Sequence, residues 1–472
     1  MKNILLVILL GMSATFHTNA QQLTLKKGVI IDAVQVNDSI SESFSLYLPK
    51  HFKNEGKWPV LFVFDMQGRG KQVLRIFQEV AEQQGYILAA SNNLRDSISI
   101  PKNILISDRM ISKIFSLFPI HRSRMYTAGF AGGARFASII PTFIKEIDGV
   151  IACGAGFPNI EILNAKKPFH FIGIVGKEDY NYPEMLQIEK ALNKRKFKNQ
   201  LLIFDGEHEW PPKKYLNSAV EIFTLSSMAK GHVAKDSMYI NHSYEKHLNE
   251  VRRFKNSAKL LAADDVLGDM LSVYNVHKNL DSLKESRRAL KKEKLYRSRK
   301  RNENNALFKE SLLKEDYVYY LEEDVLTYNF NNLGWWSYQM DELEKFTKSI
   351  NIAERQMGKR LKGFVNALIA DDIDVINTQK PLDETALNFL WMLKTITAPT
   401  EYPNYLSIIS SNAKNEDFGT ALFYLEELLK NGYTNGAELY ALEHTALLKI
   451  TPEYNAIVAK YLKDARYDII EE

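Results

Sequence analysis

Short apolar runs alternate with stretches of helical periodicity between residues 23 and 230. The first two runs mix apolar and polar positions, as antiparallel edge strands do, whereas the later runs are almost continuously apolar, as parallel strands covered on both faces are. The runs predict eight strands, at residues 29–36, 44–48, 60–64, 86–90, 125–128, 149–152, 169–175 and 200–204. The intervening patterns predict helices at residues 73–84, 106–117, 134–145, 183–194 and 213–228. Strands that alternate with helices imply βαβ units, so we predict an α/β fold with a mostly parallel sheet of about eight strands.

The strand pattern stops after about residue 240, and the rest of the chain is helical in pattern. Apolar periodicity predicts helices at residues 244–261, 265–289, 381–397, 405–412, 418–430, 438–448 and 452–462. Short helices with short connectors favour helix pairs, and residues 381–472 resemble tetratricopeptide units without a clean 34-residue period. A compact helical bundle is the alternative. We therefore predict an α/β domain over residues 21–235 and an all-α domain over residues 236–472.

The N-terminus has the pattern of a secretory signal peptide. Lys2 is followed by an apolar core at residues 4–10 and by a small-residue cleavage site at Thr18-Asn19-Ala20. The apolar core is too short to span a bilayer, which takes about 20 residues, and no other stretch is a transmembrane candidate. We expect residues 1–20 to be removed and the mature protein to be periplasmic or secreted. An uncleaved anchor helix is the alternative.

Composition narrows the classes of function. The 472 residues include 61 Lys and Arg against 57 Asp and Glu, a net charge of +4, which argues against a nucleic-acid partner. Residues 284–301 are locally basic, and they fit either a contact with an anionic surface or a solvated helix face or connector. The one cysteine, Cys153, allows no intramolecular disulfide and sits in an apolar run, where a buried side chain is expected.

A glycine-rich turn joins the strand at residues 125–128 to the helix that follows it. The turn reads Gly129-Phe130-Ala131-Gly132-Gly133. Strand, tight turn and helix is the context of the G-x-S-x-G nucleophile elbow, whose glycines permit a strained backbone and close packing of helix on strand. Ala131 occupies the nucleophile position, and a methyl group cannot attack a carbonyl. The turn therefore predicts an elbow without its nucleophile.

Two further residues follow strand ends in the order that a hydrolytic triad requires. Asp179 comes just after the strand at residues 169–175, and His208 comes just after the strand at residues 200–204. The carboxyl ends of parallel strands meet at one edge of the sheet, where sites collect. The chain order nucleophile, acid, histidine is that of the elbow-type triad. We predict that Ala131, Asp179 and His208 occupy the three triad positions.

An oxyanion hole requires two backbone N–H groups. Gly132 follows the nucleophile position, and the loop after the strand at residues 60–64 offers Met66 or Gln67 as the second donor. No metal or cofactor is expected, because the sequence lacks helical ligand spacings and the side chains of Glu207, His208 and Glu209 alternate in direction if the chain is extended there.

Five motifs in order make residues 25–230 resemble a family of secreted bacterial hydrolases. They are Phe64-Asp65-Met66-Gln67-Gly68-Arg69-Gly70, Ser91-Asn92-Asn93, Gly129-Phe130-Ala131-Gly132-Gly133-Ala134-Arg135, Asp179-Tyr180-Asn181-Tyr182-Pro183 and His208-Glu209-Trp210-Pro211-Pro212. The region is similar to esterase-like α/β-hydrolases related to polyhydroxybutyrate depolymerases, feruloyl esterases and dienelactone hydrolases. The resemblance implies an ester or thioester hydrolase fold in which Asp179 matches the acid, His208 the base and Ala131 the serine. At Ala131 the sequence departs from the family.

Two hypotheses follow from that departure. The first is an exported, catalytically inactive homologue that binds an ester-type ligand or an envelope protein partner, with the helical half as a scaffold. The aromatic pairs Tyr319-Tyr320 and Trp335-Trp336 are then either contact anchors or core residues. The second is an esterase on ester-linked polysaccharide or lipid, weak with Ala131 or fully active with serine there. The sequence does not separate natural loss of the serine from a laboratory substitution.

Overall fold

The computed structural model describes residues 25–163 and 168–462. The predicted signal peptide, residues 1–20, lies outside the described residues. Contacts divide the chain into two units, Met1–Arg122 and Ser123–Glu472. The domain boundary that the sequence predicts near residue 235 stays a prediction.

The first unit contains four strands and two helices in its described part. The strands are β1 (Ile30–Asn37), β2 (Ile40–Tyr47), β3 (Trp58–Phe64) and β4 (Ile87–Ser91), and the helices are α1 (Gly70–Gln84) and α2 (Ile100–Leu117). The strands lie in the order β1-β2-β4-β3. β2 is antiparallel to both of its neighbours, whereas β3 and β4 are parallel. β1 alternates between buried and exposed positions over its second half, and β3 is buried along nearly its whole length. The antiparallel edge and the buried parallel strands that the sequence predicts are both present.

The other four strands, all parallel to one another, belong mainly to the second unit. They are β5 (Ile120–Phe130), which begins at the end of the first unit, β6 (Ile147–Cys153), β7 (His170–Gly176) and β8 (Asn199–Phe204). β5 to β8 pair in parallel and in chain order. β7 is buried at every position, which explains its uninterrupted apolar sequence. The predicted mostly parallel sheet of eight strands is confirmed.

Helices make up the rest of the second unit. The first three are α3 (Gly132–Phe143), α4 (Tyr182–Lys194) and α5 (Lys213–Ala229). The all-α region contains α6 (Ser237–Asn256), α7 (Leu260–Val273), α8 (Asp281–Lys292), α9 (Lys294–Thr327), α10 (Leu333–Thr347), α11 (Ile352–Asn377), α12 (Glu384–Thr397), α13 (Tyr402–Lys414), α14 (Phe418–Lys430), α15 (Gly436–Ala441), α16 (Ala446–Lys449) and α17 (Pro452–Tyr461). The predicted change from an α/β pattern to an all-α pattern is confirmed.

Two apolar cores hold the later helices together. One lies among α9 to α12 and includes the fully buried Trp336, and the other lies among α12 to α17. Each helix from α10 to α13 packs on the next one, and α14 packs on α17. Packing of successive helices is common to helix-pair arrays and bundles. The tetratricopeptide-like arrangement therefore stays a prediction.

Three helices that the sequence predicts as continuous are broken. The predicted helix 244–261 is interrupted after Asn256, where Ala258 adopts a positive φ of 54°. The predicted helix 265–289 is interrupted between α7 and α8, and the predicted helix 438–448 becomes the two short helices α15 and α16. Ala258 is the clearest case, because alanine is a strong helix former and gives the sequence no sign of a break.

Basic residues 284–301 lie on α8 and α9, so they belong to helices rather than to an irregular connector. Among the aromatic pairs, Trp336 is fully buried and donates from its indole nitrogen to Asp324 over 2.8 Å. Tyr319 and Tyr320 are exposed, and Tyr320 contacts Trp335 at 4.8 Å between ring centroids. Trp336 is therefore a core residue, and the exposed tyrosines remain candidates for contact anchors.

Candidate functional site

The turn between β5 and α3 has the backbone of a strained elbow. Ala131 has φ 48° and ψ −118°, outside the regions that ordinary L-residues occupy. Its N–H donates to the carbonyl oxygen of Cys153 over 3.0 Å, and its own carbonyl accepts from the N–H groups of Ala134 and Arg135 at 3.0 Å. Strained residues persist when the surrounding structure over-determines them. Here the neighbouring strand and the first turn of α3 hold the strained residue from both sides.

Gly129 allows α3 to pack against the end of β5. A Cβ atom on this residue would lie 2.2 Å from the carbonyl oxygen of Gly133, which is a backbone atom and cannot move aside easily. The glycine is therefore required by the close approach of helix and strand. Gly132 is the first residue of α3, where backbone N–H groups have no acceptor inside the helix.

Asp179 lies in the turn between β7 and α4, which we call the acid turn (residues 176–182). Its side chain is only 1% exposed. Asp179 Oδ1 accepts from the N–H of Asn181 over 2.8 Å, and the side-chain amide of Asn181 donates to the carbonyl oxygen of Gly154 over 2.7 Å. A Cβ atom on Gly176 would lie 2.2 Å from the carbonyl oxygen of Gly206, so the acid turn and the loop after β8 are in close contact.

His208 lies on the loop after β8 and hydrogen-bonds to Asp179. Its Nδ1 is 3.0 Å from each of the two carboxylate oxygens. An ionised carboxylate only accepts hydrogen bonds, so Nδ1 carries the proton and Nε2 of a neutral ring is left as an acceptor. This is the orientation that a general-base histidine needs.

The ring of His208 contacts two aromatic rings. Its centroid is 4.7 Å from that of Phe130, the residue before Ala131, and 4.5 Å from that of Tyr180. A Cβ atom on Gly154 would lie 2.7 Å from the ring of Phe130 and 3.2 Å from His208 Cε1, so glycine there leaves room for both rings. The side chain of His208 remains 21% exposed. The structure thus brings His208 and Asp179 together against the elbow.

Burial and the nearby Asp179 charge raise the pKa of Tyr180 to about 12, so its phenol is neutral at physiological pH. Burial also raises the pKa of the Cys153 thiol, which is fully buried. Cys153 is therefore unsuited to act as a thiolate nucleophile. Ser138 is fully buried in α3, and its hydroxyl donates to the carbonyl oxygen of Ala134 over 2.8 Å, which makes it a structural residue.

A cavity of about 690 Å³ opens next to His208. His208 and Tyr180 line one side of it, and the helices α10, α11 and α12 line the other. The face of α11 that lines the cavity includes Gly363, Asn366 and Ala367, which follow helical spacing, and its small residues leave the space open. The all-α region therefore supplies a wall of the cavity that contains His208.

Charged groups along this cavity are paired. Lys359 Nζ is 2.8 Å from Glu178, and Lys362 Nζ is 2.7 Å from Glu344. Lys394, whose side chain is 7% exposed, donates to the side-chain oxygen of Asn366 over 2.7 Å. The lining combines charged with small side chains, and the ammonium groups of these three lysines are engaged.

Met66 and Gln67 lie in the first unit, in the loop after β3. The backbone N–H of Gln67 donates to Asp65 Oδ1 over 2.8 Å, and the carbonyl oxygen of Met66 accepts from the N–H of Asp96 over 2.9 Å. The N–H of Gln67 is thus satisfied inside its own loop. The oxyanion role of Met66, Gln67 and Gly132 stays a prediction.

Sequence reasoning missed residues of the all-α region that hold the acid turn, among them Arg360 and Lys314, and it missed Glu310, which pairs with both of these cations. Arg360 donates to the carbonyl oxygen of Lys177 and Lys314 to that of Tyr180, in each case over 2.7 Å. Glu310 and Lys314 are four apart on one helix face, which is the only local sign of their pairing. Arg360 lies on a different helix, so no spacing in the sequence connects it with Glu310.

Within the described ranges, no cluster of three or more His, Cys, Asp or Glu side chains is arranged to hold a metal ion. Nor does any helix among the described residues combine the length and the apolar character that crossing a membrane requires.

Neither a protein-family model nor a curated protein matches this sequence. Part of the chain is similar to solved structures of hydrolases. S-formylglutathione hydrolase from Staphylococcus aureus is 12% identical, with a TM-score of 0.34, over 43% of this chain and 98% of that one. Est1E from Butyrivibrio proteoclasticus is 13% identical, with a TM-score of 0.34, over 42% and 99%. A hyperthermophilic esterase from Pyrobaculum calidifontis is 9% identical, with a TM-score of 0.35, over 44% and 88%. Likenesses of this strength leave the activity of this chain to be argued from its own residues.

Proposed function

We propose that this chain is a catalytically inactive α/β-hydrolase homologue whose Asp179–His208 site binds an ester-type ligand without efficient turnover. The observation that carries the proposal is the combination of a paired acid and base with a methyl group at the elbow. Asp179 and His208 are hydrogen-bonded at 3.0 Å, and Ala131 retains φ 48° although it offers no nucleophilic atom. The site has the parts that orient a proton acceptor and lacks the atom that would form an acyl-enzyme.

Loss of the nucleophile removes most of the rate enhancement of such a site. Removing the serine of a triad costs about 10⁶ in turnover. Binding and an oxyanion hole alone retain about 10³ to 10⁴ over the reaction in water. His208 is oriented to activate a water molecule in place of a serine, and a water molecule is a weaker nucleophile than an activated serine. Slow hydrolysis at most is the expected result.

Binding is supported by the cavity next to His208. A volume of about 690 Å³ lies in the range of sites for drug-sized ligands. His208 lines the cavity and its ring contacts Phe130, the residue before Ala131, so a ligand in the cavity would lie beside the base of the pair. The all-α region adds a wall to the cavity and is the part that we assign to a scaffold or envelope partner role. A role in the cell envelope requires export, which rests on the predicted signal peptide. Mass spectrometry of the mature N-terminus tests export, with Gln21 as the expected first residue.

The second candidate function is an active serine esterase on ester-linked polysaccharide or lipid, of which this chain is the Ser-to-Ala form. The observation that favours it is the retained strain at residue 131. A strained backbone conformation costs about 1–3 kcal/mol, and such strain is typical of positions where it holds a catalytic nucleophile. The two candidates differ in whether a serine at position 131 restores ester hydrolysis.

Labelling with a fluorophosphonate probe and hydrolysis of p-nitrophenyl acetate separate these functions from each other. The chain with Ala131 should show neither labelling nor hydrolysis above the residual level. Gain of both in Ala131→Ser would favour the second candidate, and continued inactivity of that variant would favour the first. The double variant Ala131→Ser with His208→Gln is the matched control, since it keeps the new hydroxyl and removes the base. Robust labelling of the chain with Ala131 would overturn the proposal of an inactive site.

A further inference from the structure

We propose that α9 and α11 position the Asp179–His208 pair by holding the acid turn through two cations, the buried Arg360 and the partly buried Lys314. The inference deepens the proposed function, since it concerns the pair on which that function rests. Arg360 and Lys314 are positioning residues, because they contact the backbone on either side of Asp179 and not the ligand cavity itself.

Arg360 connects α11 to the start of the acid turn. Its Nη1 donates to the carbonyl oxygen of Lys177 over 2.7 Å. Its Nε and Nη2 donate to Glu310 Oε2 over 2.9 and 2.6 Å. The side chains of Arg360 and Glu310 are only 3% and 1% exposed. Because the guanidinium is planar and is held by Glu310 along one edge, the direction of the remaining donor toward Lys177 is fixed.

Lys314 connects α9 to the far side of Asp179. Its Nζ donates to the carbonyl oxygen of Tyr180 over 2.7 Å and lies 3.2 Å from Glu310 Oε1. Its ammonium also lies 4.7 Å from the centroid of the Phe364 ring. Burial lowers the pKa of Lys314, and the Glu310 charge acts against that shift. One carboxylate therefore orients two cations, and each cation holds one carbonyl of the acid turn.

The two carbonyls lie on opposite sides of Asp179 in the chain, at residues 177 and 180. Holding both limits rotation of the intervening peptide units, and so limits where the Asp179 carboxylate points. Two further contacts act on the same turn. Lys359 pairs with Glu178 over 2.8 Å, and the hydroxyl of Tyr182 donates to Glu303 over 3.1 Å. The acid turn is thus held by α9 and α11 at residues 177, 178, 180 and 182.

Removing Arg360 or Lys314 should change the hydrogen bonding of His208 if these cations position Asp179, but not if they only stabilise the fold. If the cations position Asp179, their loss loosens the carboxylate, and the Nδ1–H of His208 loses its fixed acceptor. The readout is nitrogen NMR of the full chain labelled with ¹⁵N-histidine, which reports which ring nitrogen carries the proton. Loss of a signal in His208→Gln assigns the His208 resonances. The measurement needs neither a ligand nor turnover, so its result is independent of the hydrolysis and labelling tests.

The variants are Arg360→Met and Lys314→Met, which shorten neither side chain greatly and remove its donors. Arg287→Met is the matched control, because Arg287 pairs with Asp264 over 2.6 Å and its ion pair does not include the acid turn. If a single variant does not fold, the double variant Glu310→Leu with Arg360→Met takes its place. Replacing both members of a buried ion pair by apolar residues of similar size often preserves stability.

We expect the Nδ1–H tautomer of His208 to predominate in the unsubstituted chain and in Arg287→Met. In Arg360→Met, Lys314→Met and the double variant, that preference should be lost and the Nδ1 proton should exchange faster with water. Arg360→Lys should restore part of the preference, since it keeps a cation beside Glu310. An unchanged His208 tautomer in folded Arg360→Met and Lys314→Met, or in the double variant, would overturn the proposal.

Discussion

The elbow at residue 131 and the acid turn at residues 176–182 belong to the same unit and contribute to the same site, but they are built in different ways. The elbow is held by its near neighbours in sequence, namely Gly129, Gly133 and the first turn of α3, and by one backbone hydrogen bond to Cys153 on the next strand. The acid turn is held by helices far away along the chain. Arg360 is 183 residues from Lys177, and Lys314 is 134 residues from Tyr180.

The difference extends to chemistry. The elbow keeps its strained backbone and has no reactive side chain, whereas the acid turn keeps both its carboxylate and its histidine partner. Locally built geometry survives a change of one side chain, because it depends on glycines and on backbone hydrogen bonds. Geometry held over a long range depends on every member of a buried charge network. The acid turn should therefore be the more fragile of the two regions.

The largest effect is expected from Arg360→Met. This substitution leaves the Glu310 carboxylate, 1% exposed, with Lys314 as its remaining ionic partner and removes the hydrogen bond to Lys177. Removing one partner of a buried pair costs about 3–5 kcal/mol, and the remaining cation should keep the loss near the lower end, at about 3 kcal/mol. Urea unfolding followed by circular dichroism measures it.

Arg287→Met serves as the comparison for that measurement. Its pair with Asp264 has side chains 30% and 10% exposed, so solvent screens it, and the expected loss is about 1 kcal/mol. Equal losses for the two variants would show that the acid turn is no more dependent on its charge network than the all-α region in general.

Gly129→Ala should produce the next largest effect, this time on the elbow. The added Cβ would meet the carbonyl oxygen of Gly133 at 2.2 Å, so strand and helix must separate. Overpacking of this kind costs about 1–3 kcal/mol. Gly334→Ala on α10 is the control, because nothing lies within 4 Å of its added Cβ and alanine favours a helix. Gly129→Ala should lower the free energy of unfolding and Gly334→Ala should leave it unchanged or raise it. A Gly129→Ala variant as stable as the unsubstituted chain would refute the close-packing argument.

The sequence predicted the elbow better than it predicted what holds the acid turn. All eight strands were predicted, because alternation and continuous apolar runs are local patterns, and Asp179 and His208 could be placed at strand ends for the same reason. The helices α9 to α11 were not predicted individually. Glu310 and Arg360 meet only when α9 packs against α11, and a pairing across 50 residues leaves no periodic trace. The break at Ala258 was missed because neither glycine nor proline marks it.

The smallest effect, and the one that tests the elbow most directly, is expected from Ala131→Gly. Glycine adopts φ 48° and ψ −118° without the clash of a Cβ atom, so it should relieve strain of about 1–3 kcal/mol. Part of that gain is offset by the greater freedom of glycine in the unfolded chain, about 0.4–1 kcal/mol. The net expectation is a stabilisation of about 1 kcal/mol, seen as a higher urea midpoint with an unchanged slope. Ala137→Gly, inside α3 and fully buried, should instead destabilise by about 1 kcal/mol. If both substitutions destabilise alike, residue 131 carries no stored strain, and the argument that the elbow kept its geometry after losing its chemistry fails.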